Sequence, residues 1–169
     1  MAGRPVSECN GVMAYTVDFC TPATYTAAVT RFHVDLDDME LMGGKVSDAF
    51  AAVTAALSRA GATAKAPAIA SYTKSGAGFD VAAGFPFDGD FEPAEPVALL
   101  EVGGCLVAHI RHVGPYDRPA AAYEALREGA RGQGRPLDDG SPPWEEYWTG
   151  PETPPEQTRT DIYWPVATG

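Results

Sequence analysis

Apolar and polar positions alternate at the start of the chain, where Tyr15, Val17 and Phe19 are separated by Thr16 and Asp18, and the run from Tyr25 to Phe32 is rich in Thr, Val and aromatics. A period of two with β-branched and aromatic residues predicts strand over 15–32, interrupted at Pro22. The period then lengthens. Val46, Phe50, Val53 and Leu57 fall on one stripe among alanines, which predicts a helix over 46–60 that Gly61 ends. Between these elements, 33–45 is acidic, carries Met39 and Met42 and closes on Gly43-Gly44. It reads as a loop or short helical turn whose methionines plug a core gap or line a pocket mouth. Strand patterning returns over 68–73 and 79–87, separated by a Ser-Gly-Ala-Gly turn, and this predicts a hairpin.

The proline-punctuated acidic stretch 88–96 reads as a connector, and after it the same order recurs. A strand-like run over 99–112 breaks at Gly103-Gly104. A helix follows over 118–131, with Asp117 placed to cap it and Pro119 to open it. The stretches 144–149 and 160–166 then predict a second hairpin. The halves also finish alike, Gly84-Phe85-Pro86-Phe87 against Tyr163-Trp164-Pro165-Val166. A strand-helix-strand-strand unit used twice implies pseudo-symmetric halves, about 13–88 and 98–167, neither able to bury its sheet alone. Packing about a two-fold axis leaves a cleft between them, with Tyr72 of one half opposite Tyr147 of the other. Residues 1–12 lack periodicity and read as a flexible lead-in to a single domain over 13–169.

The stretch 142–151 packs three aromatics and two carboxylates between prolines. As a strand it puts Glu145 and Tyr147 on one face and Trp144, Glu146 and Trp148 on the other. Whichever face looks inward, a carboxylate goes in among aromatics. It loses hydration, its pKa rises, and it suits a cationic ligand or a proton-transfer task.

Composition narrows the function. The 169 residues carry a net charge of −11, which argues against a nucleic-acid partner and draws in cationic small molecules. No run is long and apolar enough to span a membrane and no signal pattern opens the chain, so a cytoplasmic protein without a membrane partner is expected. Cys9, Cys20 and Cys105 are widely spaced and read as reduced thiols, Cys105 as a small apolar strand residue. His33, His109 and His112 lack ligand spacing, because an i, i+3 pair on a strand points to opposite faces; neither metal nor cofactor is expected. The chain also lacks GxSxG and the Cys/His pattern of covalent nucleophilic sites.

The run His112-Val113-Gly114-Pro115-Tyr116 and its Ala-rich helix, then Pro143-Trp144-Glu145-Glu146-Tyr147, Pro151, Pro154-Pro155-Glu156, Arg159-Thr160-Asp161-Ile162-Tyr163 and Pro165-Val166, resemble the GyrI-like family. This is the small-molecule-binding domain that also serves as the effector-binding part of some AraC-type and MerR-type multidrug regulators of bacteria. The resemblance covers about 13–167. It implies an α+β fold of duplicated βαββ (SH2-like) units with pseudo-two-fold symmetry, an antiparallel sheet, two main helices and a central cleft. It also implies a cleft carboxylate amid aromatics that binds bulky, often cationic, aromatic compounds, and Glu145 is the position that carries over. Glu146 stands where the family is usually apolar and Trp148 where it is often aliphatic, so both glutamates remain candidates for the buried carboxylate. Those regulators place a helix-turn-helix ahead of this domain; about a dozen unpatterned residues precede the first strand here, so a stand-alone domain, monomeric or homodimeric, is expected.

Two functions follow from the resemblance: binding or sequestering lipophilic aromatic or cationic small molecules in drug resistance, or hydrolysis of cyclopropane-bearing DNA-alkylating natural products by a pocket Glu/Tyr pair, Glu145 and Tyr147. The ligand-binding candidates are Tyr72, His112, Tyr116, Trp144, Glu145, Tyr147, Trp148 and Tyr163. His112 reads either as a strand-end residue bonding backbone or as a proton shuttle, and Tyr116 either borders the cleft or packs on the helix that follows.

Overall fold

A computed structural model describes residues 15–115, 120–150 and 152–168. In chain order the elements are β1 (Asp18–Cys20), β2 (Tyr25–Asp35), α1 (Met42–Arg59), β3 (Thr63–Ala64), β4 (Ala68–Ser75), β5 (Gly78–Asp88), β6 (Val97–Val102), β7 (Val107–Val113), α2 (Ala120–Gly132), β8 (Trp144–Tyr147) and β9 (Arg159–Pro165), with short 3-10 turns at Leu36–Leu41 and Pro155–Gln157. The fold is α+β, with one large antiparallel sheet and two helices. The strand order is β1-β7-β9-β8-β4-β5-β2-β6, with β3 pairing on β5. Read from either end, the order visits equivalent strands of the two halves, and the halves meet where β8 pairs with β4.

The first strand of each half is traded. β1 pairs with β7, Cys20 opposite Val107, while β6 pairs with β2, Val102 opposite Tyr25. The two chain breaks seen in sequence, at Pro22 and at Gly103-Gly104, meet where these strands cross: the Gly104 N–H donates to the Pro22 carbonyl at 2.8 Å. Gly103 has φ +92, and a Cβ there would lie 2.7 Å from the Ala23 carbonyl oxygen, so the crossing needs a glycine. Each half therefore completes the other's sheet.

Both helices lie on one face. Small side chains let them approach: Ala28, Ala70, Ala83 and Ala108 are fully buried beneath them. Val53 and Leu57 of α1 pack on Ala28 and Val97, and Leu126 of α2 packs with Ala108, Ile110 and Ile162. A side chain such as Leu57 or Leu126 contributes about 1.5–3 kcal/mol on burial. On the helix-free face Val29, Ile69, Val102, Val107 and Trp144 form another cluster. Val102 and Val107 come from strands near opposite ends of the order, so the sheet curls to bring them together.

Two elements depart from the sequence pattern. The helix expected to begin at Val46 begins at Met42 and runs through Gly43-Gly44, because Met42, Val46 and Phe50 pack as one stripe on Ala70, Val81 and Ala83. That packing outweighs the poor helix propensity of two glycines. His33–Asp35, expected in the acidic loop, extend β2, held by pairing with Gly78–Asp80 of β5. The capping reading of Asp117 and Pro119 and the lead-in 1–12 lie outside the described residues.

Candidate functional site

α1 packs over β2 and β5 and α2 over β7, so the helix-bearing face between them is floored by β4 and β8. Alternation along β8 turns Glu145 and Tyr147 to this face, with Trp144 and Glu146 on the other. The Glu145 carboxylate is buried, at 7% exposure. Tyr123, from α2, donates its hydroxyl to Glu145 Oε2 at 2.7 Å, and Tyr147 donates to Oε1 at 3.4 Å. Tyr72 of β4 joins through a 2.8 Å hydroxyl–hydroxyl bond to Tyr147. Phe50 of α1 sets its ring edge-on to Tyr147, 6.0 Å between centroids. One carboxylate thus sits within three tyrosines contributed by β4, β8 and α2.

Burial pushes the Glu145 carboxyl above its ordinary pKa, and the Tyr123 and Tyr147 hydrogen bonds offset this only in part. Burial, then the Glu145 charge, push Tyr123 and Tyr147 well above the usual phenol range. They stay protonated donors at neutral pH, as donation to a carboxylate requires. Among the described residues no ion pair includes Glu145. A carboxylate without a cationic neighbour, in apolar surroundings, can accept a proton or pair with a bound cation.

The other residues singled out in the sequence lie elsewhere. His112 is on the same face but across β9, where Nε2 faces the Pro115 carbonyl at 3.0 Å and Nδ1 faces the Tyr15 hydroxyl at 2.7 Å. The carbonyl can only accept, so Nε2 carries the proton, and in the neutral ring Nδ1 accepts from Tyr15. Trp144 and Tyr163 stack on the helix-free face, centroids 5.2 Å apart and planes 15° from parallel. Trp148 is exposed, with the Arg159 guanidinium 4.9 Å over its ring. Tyr116 lies outside the described residues.

Glu146 is also buried, and accepts from the Tyr25 hydroxyl at 3.1 Å on the helix-free face. Its cross-strand partner Asp161, 2% exposed, is bound by Arg159 Nη2 at 2.7 Å and Arg111 Nε at 3.2 Å, with His109 Nε2 3.7 Å away. Both glutamates are thus buried, one per face. The residue that sequence reasoning missed at the Glu145 site is Tyr123. Its one signal is that it is the sole aromatic of the Ala-rich helix α2.

A family model for the GyrI-like small molecule binding domain matches residues 16–167. The chain belongs to the GyrI-like family. Among solved structures, this GyrI-like chain is similar to the EcmrR C-terminal domain, at 18% identity and TM-score 0.73, over 93% of this chain and 100% of that one. Against the EcmrR chain in its complex with DNA, it covers 95% of its own length and 60% of the other's, at 19% identity and TM-score 0.72. It is similar to SAV2435 bound to tetraphenylphosphonium, at 13% identity and TM-score 0.62, over 92% and 94% of the two chains. A hydrolase from Listeria innocua matches at 14% identity and TM-score 0.58, over 90% and 92%. At these identities the likeness is one of fold. No curated protein matches the chain. No helix among the described residues is long and apolar enough to cross a membrane.

Proposed function

We propose that this GyrI-like domain binds bulky aromatic cations between α1 and α2, with Glu145 supplying charge and Tyr72, Tyr123, Tyr147 and Phe50 supplying ring faces and edges. The observation that carries this reading is a buried carboxylate that, among the described residues, is held by tyrosine hydroxyls. A delocalised organic cation loses little hydration on entering such a site, whereas a compact ammonium or metal ion loses much. Each aromatic contact adds about 0.5–2 kcal/mol by cation–π attraction. The tetraphenylphosphonium in the SAV2435 structure is a ligand of this class. Calorimetric titration with tetraphenylphosphonium tests the reading. Glu145→Gln is expected to weaken that cation about 10- to 100-fold, since a charge-assisted contact is worth roughly 1.5–3 kcal/mol, while neutral triphenylphosphine oxide binds as before. Equal affinity of the cation for both proteins would sink it.

A second reading has one observation in its favour: the same carboxylate has a raised pKa and two tyrosine hydroxyls within reach. In its ionised form Glu145 would take a proton from water as the water oxygen attacks a strained cyclopropane carbon. The C–C bond that breaks would send its electron pair into a conjugated dienone, and a tyrosine O–H would hydrogen-bond the oxygen where negative charge develops. Turnover of a spirocyclopropyl dienone decides this. Hydrolysis that falls about 100-fold or more in Glu145→Gln, with binding retained, supports the enzyme. No turnover by the wild-type protein removes it.

A further inference from the structure

Among the described residues, Glu145 is the one member of its cluster whose charge can change in mildly acidic to neutral solution. Tyr147 faces the carboxylate from β8 and Tyr123 from α2, while Tyr72 of β4 joins through Tyr147. Burial, then the Glu145 charge, hold all three phenols above their usual range, so they stay neutral. β9 sets Ile162 opposite Glu145 and α1 sets Phe50 against Tyr147, and neither side chain titrates. The charged residues of both helices, and Lys74 beyond Tyr72 on β4, are exposed. A carboxylate buried without a cation beside it is costly to ionise, and a bound proton removes that cost. A bulky organic cation removes it too, by supplying the missing charge. Proton and cation therefore compete for one group.

We propose that the Glu145 site exchanges a proton for its ligand: in mildly acidic solution the empty carboxyl holds a proton, and an entering organic cation expels it. This rests on the cation-binding reading above and adds what regulates that site. The carboxyl O–H bond breaks, its electron pair stays on oxygen as the carboxylate that pairs with the cation, and the proton passes to water. One positive charge enters and one leaves. Burial raises the empty-site carboxyl more than the Tyr123 and Tyr147 hydrogen bonds lower it, which opens a window between the filled-site and empty-site values. Inside that window affinity rises with pH, by up to about tenfold per unit, because only the ionised form pairs with a cation. Above it Glu145 is already ionised and affinity levels off. Acid therefore discharges a bound cation.

Calorimetric titration of tetraphenylphosphonium from about pH 4.5 to about pH 8, at each pH in two buffers of unlike ionisation enthalpy, counts the protons released. Release is expected to approach about one proton per cation at the acid end and to vanish at the alkaline end, with affinity rising in step. Neutral triphenylphosphine oxide is expected to release none. Tyr123→Phe removes a donor that favours the ionised form, so the bend in its affinity profile moves up by about one pH unit. Glu145→Gln flattens the profile and releases no proton. If tetraphenylphosphonium binds wild-type protein equally well across the whole range with no proton released, the exchange is overturned and cation binding stands. If it binds at no pH, the cation-binding reading falls and the exchange with it. Proton release that survives in Glu145→Gln belongs to another group and likewise overturns the proposal.

Discussion

Glu145 and Glu146 are chain neighbours, both buried and both bonded by tyrosine, and they differ in what lies beyond that first contact. On the helix face Glu145 meets further tyrosines and Phe50. On the helix-free face Glu146 lies next to Asp161, which two arginines and His109 surround. Burial alone would raise the Asp161 carboxyl, but contacts from His109, Arg159 and Arg111 outweigh it and hold the group well below the usual carboxylate range. Burial raises Glu145, and no cation among the described residues offsets it. On the helix-free face Asp161 has cations within the protein beside it, and on the helix face the Glu145 carboxylate has none among the described residues. Two residues with the same side chain thereby sit in different surroundings, Glu146 bonded to Tyr25 of β2 beside the Asp161 cluster and Glu145 among the tyrosines of the helix face.

The comparison breaks most visibly at Asp161. Asp161→Asn removes the charge that Arg111 and Arg159 share, and is expected to cost about 3 kcal/mol in urea unfolding, the lower end for breaking a buried pair because both arginines reach solvent. A loss under about 1 kcal/mol would show that the network is only a surface ornament to the sheet. Tyr123→Phe is next. It removes the shorter of the two hydrogen bonds to Glu145 and is expected to cost about 1.5 kcal/mol of stability at neutral pH, as for a bond to a charged group, with the fold otherwise kept. An unchanged unfolding curve would mean that Glu145 is protonated and gains nothing from that donor.

Asp161 and Glu145 respond to pH with opposite sign, while Glu146, whose carboxyl burial also raises, responds in the same sense as Glu145. Asp161 has a folded pKa below its unfolded one, so its stabilisation is present above the ordinary aspartate pKa and is lost as pH falls through the depressed folded value. Glu145 has a folded pKa above its unfolded one. Its fold is favoured while it is protonated, and stability is lost as pH rises from the ordinary glutamate pKa, about 4.3, to the raised value. Unfolding free energies measured across pH should therefore show an acid limb that flattens in Asp161→Asn and a limb above the ordinary glutamate pKa that flattens in Glu145→Gln. If Glu145→Gln leaves that upper limb unchanged, the cleft carboxylate is not the titrating group.

Much of this was legible in the chain. Period-two alternation in 144–148 separated Glu145 and Tyr147 from Trp144 and Glu146, since facing is a local property of a strand. The repeat of strand, helix and hairpin likewise predicted two similar halves, and the observed strand order visits equivalent strands from either end. What the chain did not show depends on distant pairing. The exchange of β1 and β6 between halves needs partners that no local pattern names, although Pro22 and Gly103-Gly104 marked where the chain would turn. Arg159 and Asp161 share a face by alternation, but Arg111 joins them only through the β7–β9 register. Tyr123 was hidden because a tyrosine among alanines on a helix packs equally well as a plain core residue, and its hydroxyl acquires meaning only when α2 docks above β8.

The smallest effect sharpens the contrast furthest. Glu146→Gln removes a charge next to Glu145 in sequence but behind the sheet, where His109 and Arg159 already act on it. A cation between the helices would feel that loss only through the strand layer, without contact. Its affinity is expected to fall about twofold, against the 10- to 100-fold expected for Glu145→Gln. The two effects differ in kind as well as in size. A distant, partly solvated charge is screened by salt, since the Debye length is about 10 Å at 0.1 M and about 3 Å at 1 M, whereas a contact inside a desolvated site is screened far less. Calorimetric titration of tetraphenylphosphonium in 0.1 M and 1 M sodium chloride should therefore erase the Glu146→Gln effect and leave most of the Glu145→Gln effect. If instead Glu146→Gln is the larger and salt-resistant loss, the cation sits on the helix-free face, and the roles drawn for the two glutamates are reversed.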